Sequence, residues 1–259
     1  VTAFLELTPV QFAAMWRELK EVGLPAPLTY RGPEQSFDES RRVERAAWQE
    51  LRRGAGGALD QLVVALTEPD IRVVARGIDG RAPQNPKRSL RVLAVRKGED
   101  SFVVVQCPGE TLSDAAGFTV TRHDAVSMGD AVAAVFPVAA AGRRREFGLH
   151  DATQTDLDFS YGRSLVHEDG DDTAARSQEF ASEPDELAGS IEIEQGWSRF
   201  GPRGVLRLQL VWRDVVDDGR YVIVPGTPAR VVPVDRRGLV SLLNSQIAEI
   251  VRAIRDDRA

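Results

Sequence analysis

The residues best suited to nucleophilic, acid–base or metal chemistry in this chain of 259 residues are three histidines, His123, His150 and His167, and one cysteine, Cys107. Their spacing supports none of these chemistries. No histidine stands at zinc-ligand distance from another or from Cys107. A serine hydrolase would show Gly-x-Ser-x-Gly at a strand-to-helix turn, and that pattern does not occur. Arg122-His123-Asp124 is the one faintly site-like cluster, and Asp124 reads equally well as a helix cap. Gly54-Ala55-Gly56-Gly57 follows a helix rather than a strand, and Leu59 stands where a dinucleotide loop has its third glycine. It reads as a helix terminator. No phosphate loop ending in Gly-Lys-Ser/Thr exists. The acidic run Glu168-Asp169-Gly170-Asp171-Asp172 lacks the alternating ligands and closing glutamate of a calcium loop, and reads as mobile and solvated. Cys107 ends the predicted strand Phe102-Gln106 and reads as a half-buried thiol. The expectation is a non-enzyme with no cofactor and no metal.

Charge narrows the partners. There are 33 basic against 39 acidic residues, a formal net charge of −6. Such a chain is a poor general binder of nucleic acid or anionic membrane. Arg143-Arg144-Arg145 is one short run with no aromatic stacking platform beside it, and reads as solvated linker. Hydrophobic residues make up 42%, enough for a sizeable core. No apolar run approaches the ~20 residues of a membrane span. The start, Val1-Thr2-Ala3-Phe4-Leu5-Glu6-Leu7, has no basic region and no long apolar stretch. A single cysteine suits a reducing compartment, and a cytoplasmic location is expected. Core packing is the expectation for Trp16, Trp48, Trp197 and Trp212.

With no chemistry to position, the elements themselves carry the information, and they repeat. Ser89 to Pro137 reads strand, turn, strand, loop, short strand, helix. Val205 to Ile254 reads the same. Leu90-Arg91-Val92-Leu93-Ala94-Val95 answers to Leu206-Arg207-Leu208-Gln209-Leu210-Val211, and Phe102-Val103-Val104-Val105 answers to Tyr221-Val222-Ile223-Val224. Each copy follows an isolated strand behind a Glu-Pro-Asp break: Glu68-Pro69-Asp70 before Ile71-Val74, and Glu183-Pro184-Asp185 before Ile191-Glu194. Two copies and no third imply one domain, 1–259, with approximate two-fold symmetry rather than an open array. Its halves are 1–138 and 148–259, joined by the linker 139–147.

Upstream, Phe4, Leu5 and Leu7 suggest a short strand. Thr8-Pro9-Val10-Gln11 is a capping box, and Phe12, Met15, Trp16, Leu19 and Val22 recur at helical spacing. Ser36-Phe37-Asp38-Glu39 opens a second helix that ends at Gly54, and a third covers Ala58-Leu66. Lys97-Gly98-Glu99-Asp100 reads as a hairpin turn. The connection Gly77-Ser89 is long, with two glycines and two prolines, and is no strand through its middle. A helix capped near Asp124 keeps Val126, Ala131, Val132 and Val135 inside. Thr173-Phe180 reads as helical, and Leu239 to Ile254 forms the best apolar stripe of the chain. The fold class is α+β: a central, mostly antiparallel sheet built from two pseudo-two-fold related halves, flanked by helices, with one sheet face covered. The two sheets could join edge to edge.

The order of these motifs resembles the EspG family of ESX (type VII) secretion-associated proteins. The residues are Leu7-Thr8-Pro9-x-x-Phe12-x-x-Met15-Trp16, Ala46-Ala47-Trp48-x-x-Leu51, Pro69-Asp70-Ile71-Arg72-Val73, Arg199-Phe200-Gly201, and Gly219-Arg220-Tyr221-Val222 followed by Val232-Pro233-Val234-Asp235. The resemblance implies a cytosolic chaperone that holds a helical PE/PPE-like secreted heterodimer soluble for export. It implies a partner surface on the loop between the second and third strands, here Ile78, Asp79, Gly80, Arg81, Ala82, Pro83, Gln84, Asn85 and Pro86. It also implies contacts from C-terminal helices, here within Leu149-Leu187 and including Phe180 and Leu187. Two other readings stay open: a small-molecule-binding enzyme or sensor, and a homo-oligomeric interaction module.

Overall fold

Residues 4–19, 23–32, 36–149 and 168–258 are described by the computed structural model, with side chains from residue 173 onward in the last stretch. The expectations for Val22, His150 and His167 lie outside these residues.

A short strand β1 (Leu5–Leu7) leads into helix α1 (Pro9–Leu19). The Thr8 N–H donates to Gln11 Oε1 at 2.9 Å and the Gln11 N–H to Thr8 Oγ1 at 3.2 Å, a reciprocal capping box. Helix α2 (Phe37–Thr67) starts at Ser36, whose Oγ accepts from the Glu39 N–H. The two helices expected here are both present within this span and meet at a kink. The kink is at Gly56 (φ 50°, ψ −137°), a left-handed position that glycine tolerates. Gly54 remains helical.

The first set of strands is β2 (Ile71–Asp79), β3 (Leu90–Lys97), β4 (Asp100–Pro108) and β5 (Ala115–Asp124), followed by helix α3 (Met128–Val135). The second begins with β6 (Phe147–Gly148) and helix α4 (Glu168–Ser182). It continues with β7 (Asp185–Gln195), β8 (Arg207–Val215), β9 (Gly219–Val224), β10 (Arg230–Pro233) and helix α5 (Arg236–Arg258). The acidic run expected to be mobile therefore lies within the bounds of α4.

All ten strands form one sheet of order β1-β5-β4-β3-β2-β7-β8-β9-β10-β6. The order reads the same outward from its centre in both directions: second, third, fourth and fifth strand of the set, then the one preceding them in the chain. Every neighbouring pair is antiparallel. The central seam is β2 against β7, from Ile71↔Gln195 to Asp79↔Leu187. Joining there hides one edge of each sub-sheet.

Both strands of the seam are longer than expected, because their glycines serve close packing rather than turns. A Cβ at Gly77 would lie 2.6 Å from the Trp212 ring, whose Nε1–H donates to the Arg76 carbonyl at 3.0 Å. A Cβ at Gly189 would lie 1.8 Å from that same carbonyl oxygen.

Helices cover both sheet faces, not one. On the first, α3 and α5 pack over Ile71, Val73, Ala75, Ile191, Ile193, Leu210 and Trp212. On the second, α1 and α2 pack over Val74, Leu93, Val95, Val104, Phe118 and Val120 of the N-terminal strands. The strand period of two sends alternate residues to these separate cores. A smaller cluster joins Phe180 of α4 to Phe147, Val215, Tyr221 and Val231.

Four local expectations are corrected. Val126 is 82% exposed, because a 3₁₀ turn at Ala125–Ser127 precedes α3 and turns it outward. Asp124 is the last residue of β5 and makes no side-chain capping bond. Trp197 is exposed in the β7–β8 connection, whereas Trp212 is fully buried and Trp16 nearly so. Arg144 is not free linker: it pairs with Glu183 at 2.5 Å and Glu179 at 3.1 Å and lies over the Phe180 ring.

Tyr221 anchors that corner. Its O–H donates to Asp218 Oδ2 at 2.6 Å and its oxygen accepts from the Arg144 N–H at 3.0 Å. Burial, then the bond to Asp218, pushes its pKa up to about 12. The unfolded chain releases this proton near pH 10, before the folded chain does. Stability held below pH 10 is therefore expected to fall as pH rises towards 12, and urea melts of Tyr221→Phe should show a shallower alkaline decline.

Candidate docking surface

The expected partner loop begins at Gly80 rather than at Ile78. Ile78 and Asp79 are the last residues of β2, paired with Ala188 and Leu187 of β7. The true connection is Gly80 to Ser89, and Asp79 organises it from below. Its carboxylate accepts from the Arg81 N–H at 3.0 Å, the Ala82 N–H at 3.1 Å and Asn85 Nδ2 at 3.4 Å. Burial opposes the charge, but these donors and the nearby Arg88 outweigh it, and the pKa falls below the ordinary aspartate value. Asn85 in turn caps a 3₁₀ turn, Pro86–Arg88, by accepting from the Lys87 N–H at 3.2 Å. Arg81 and Arg88 both reach Glu186 at 3.6 Å. The loop is thus tied to both seam strands, and it leaves Gly80, Arg81, Ala82, Pro83 and Gln84 exposed.

Beside the loop, part of the second sheet face is open. Directly paired residues share a face, so the strand register gives its rows. One row is Ile78, Ala188, Arg213 and Tyr221; the next is Arg76, Ser190, Val211 and Ile223. Helices α1 and α2 cover this face over β3, β4 and β5 and as far as Val74 of β2, and α4 covers it near Tyr221. Between them Ile78 is 46% and Val211 39% exposed. Polar residues border the exposed Ile78 and Val211: Arg76 and Ser190 within these rows, Glu192 and Gln209 in one further row, then Arg72, Glu194 and Arg207. Glu194 bridges Arg72 at 3.2 Å and Arg207 at 2.9 Å.

A hollow of about 430 Å³ continues these rows towards the N-terminal half, between Ala26-Pro27-Leu28 and Ile78, Leu90 and Arg91. Arg91 fixes its wall by donating to the Pro27 and Leu112 carbonyls, both at 2.8 Å. Burial, then the neighbouring Arg76 charge, lowers the Arg91 pKa.

The structure brings Ile78 through Pro86 together but places Phe180 and Leu187 inside. Phe180 is 1% exposed, packed edge-on against Phe147 and Tyr221. Leu187 is 7% exposed and belongs to the core beneath α5. Their part is indirect. Arg213 lies over the Phe180 ring and donates to the carbonyls of Phe180 and Glu183, both at 2.7 Å, holding the end of α4 against the open face. Sequence reading missed Val211, although a signal exists. In Arg207-Leu208-Gln209-Leu210-Val211-Trp212-Arg213 the odd positions are the polar face, and Val211 is the apolar exception.

The histidine cluster comes apart. Arg122 and Asp124 lie on the face opposite His123, as strand alternation requires. His123 Nε2 contacts Thr121 Oγ1 at 2.9 Å, and Arg122 is committed to Asp100 at 2.9 and 3.0 Å. Among the described residues no group of three His, Cys, Asp or Glu side chains is placed to hold a metal. A cleft of about 470 Å³ at the far end of the seam is lined by Glu68, Asp70, Trp197 and Asp257 rather than His123. Asp257 there accepts from Gln195 Nε2 at 2.8 Å, and Asp70 from the Gly98 N–H at 2.8 Å. Hydrogen bonds from Ser198 and Gln195 hold the Asp257 pKa below its ordinary value.

Exposed apolar side chains among polar ones, set on paired strands beside a tethered loop, are the anatomy of a protein-docking surface. The chain belongs to the EspG family, whose profile matches residues 8–245. Among solved structures it is similar to the Mycobacterium tuberculosis type VII secretion system chaperone EspG5, determined in complex with the PE25–PPE41 dimer. The TM-score is 0.53 at 14% identity, over 98% of this chain and 96% of that one, so the two share a fold. No curated protein matches the chain. Among the described residues no helix is long and apolar enough to cross a membrane.

Proposed function

We propose that this chain is a cytoplasmic type VII secretion chaperone. It binds a PE/PPE-like helical heterodimer and keeps it soluble for export, without catalysing a reaction and without a cofactor. The observation that carries this reading is the EspG family match over residues 8–245. The fold shared with EspG5, a chaperone whose structure was determined on PE25–PPE41, supports it. The docking face is Ile78, the loop Gly80-Arg81-Ala82-Pro83-Gln84 with Asn85 and Pro86 at its foot, and the open rows beside them. Asp79 and Leu187 hold that face in shape from beneath, and Phe180 holds its edge by packing on Tyr221. A helical cargo has an apolar end that associates with itself when bare, and a groove with a polar rim covers such an end by shape. In this reading 1–259 acts as one unit, with halves 1–138 and 148–259 joined by 139–147.

The test is co-expression with PE/PPE-like pairs from the same genome. One soluble ternary complex is expected, and failure of every pair defeats the reading. Exchanging Gly80-Pro86 for Gly/Ser residues should weaken that complex at least ~10-fold, since pre-organised loop contacts are lost. Unchanged affinity would remove the loop from the site. The circular dichroism spectrum should stay the same.

A further inference from the structure

The other face of the sheet carries a second groove. It lies between α3 and α5 and has a volume of about 380 Å³. Its floor is apolar, formed by Ile247 and Val251. The two helices meet closely at Gly129, where a Cβ would lie 2.1 Å from Asn244 Oδ1. Three arginines rim it, Arg96, Arg252 and Arg255, and no carboxylate lines it. Among the described residues none of the three forms an ion pair; Arg96 Nε donates only to the Gly98 carbonyl at 3.1 Å. The contrast with the rest of the molecule is large, because the chain as a whole is acidic, at −6. Val126 at the mouth is almost fully exposed.

We infer that the α3–α5 groove docks an acidic, amphipathic helical segment of a second protein. Apolar residues at i, i+3, i+4 and i+7 would fill the floor, and flanking Asp or Glu side chains would meet the arginines. Nucleic acid fits the surface less well. No aromatic side chain lines the groove for base stacking, and the overall negative charge repels a polyanion. The site is on the face opposite the open rows, so it does not depend on the cargo reading.

The experiment uses the full chain and a fluorescein-labelled helical peptide with leucine at those four spacings and glutamate beside them, read by fluorescence anisotropy. Binding is expected, falling at least ~10-fold in R252E/R255E, as for oppositely charged pairs at an interface. A lysine-for-glutamate peptide should bind that double variant better than the parent protein. Val126→Asp, which leaves the arginines in place, should also weaken the original peptide. Equal binding of a scrambled peptide or of the double variant would overturn the inference. So would displacement of the peptide by inorganic phosphate or a single-stranded oligonucleotide, or self-association of the chain that R252E/R255E abolishes. Complex formation with PE/PPE-like pairs should be unchanged in R252E/R255E, which separates this site from the cargo face.

Discussion

Replacing Asp214 by alanine lowers the unfolding free energy by about 3–5 kcal/mol in urea titration. Arg220 is nearly fully buried, and its Nε and Nη2 donate to the two Asp214 oxygens at 2.6 and 2.7 Å. Nη2 also reaches the Pro137 carbonyl at 2.9 Å, and the guanidinium lies 5.4 Å from the ring centres of Phe136 and Trp212. The same residue ties the chain after α3 to β9: its N–H donates to the Ala140 carbonyl at 2.8 Å, and its carbonyl accepts from the Gly142 N–H at 3.1 Å. Removing the carboxylate leaves a cation with water excluded and one partner gone. The cost is that of the stranded charge rather than the worth of the pair. The double variant Asp214→Leu/Arg220→Met should therefore recover much of the loss. A single-variant loss under ~1 kcal/mol, the range of exposed ion pairs, would show that the pair is hydrated in solution.

Ile78→Lys combined with Val211→Lys weakens the PE/PPE-like complex by about 100-fold, or roughly 2.7 kcal/mol. Both side chains sit on adjacent rows of the open face, with only small or polar neighbours, Ala188 and Ser190, between them. A lysine there must either be desolvated against the cargo or hold it away, and a few central residues dominate such interfaces. Both positions are exposed, so the stability of the free chain should move by no more than ~0.5 kcal/mol each. Val64→Lys, at an exposed position of α2 on the helical layer, is the matched control and should bind as the parent does. Loss in the control as well, or no loss in the double variant, would place the cargo elsewhere.

Much of the fold was legible along the chain because the signals are local. The Thr8–Gln11 and Ser36–Glu39 boxes state their own hydrogen bonds, and the Lys97–Asp100 hairpin turns at Gly98 with φ 59°. The paired segments Leu90–Val95 and Leu206–Val211 occupy equivalent places, β3 and β8, on either side of the seam. What misled were residues whose local and tertiary uses differ. Gly77 looks like a loop residue, yet it is a strand residue that makes room for Trp212, a contact 135 positions away in the chain. Phe180 looks like a helix residue free to meet a partner, yet Tyr221 and Phe147 enclose it. Arg144 looks like solvated linker, yet Glu183 and Glu179 claim it.

The sequence alone determined most element types and their repeated order along the chain, because hydrophobic period, capping residues and turn residues act over a few positions. It also determined the absence of a recognisable catalytic motif. Only the tertiary structure decided that β2 and β7 would form the seam, that helices would cover both faces, and that the rows around Ile78 and Val211 would stay open. Those outcomes depend on which side chains meet across more than a hundred residues of chain. Burial, unlike secondary structure, is a property of such meetings and not of any one segment.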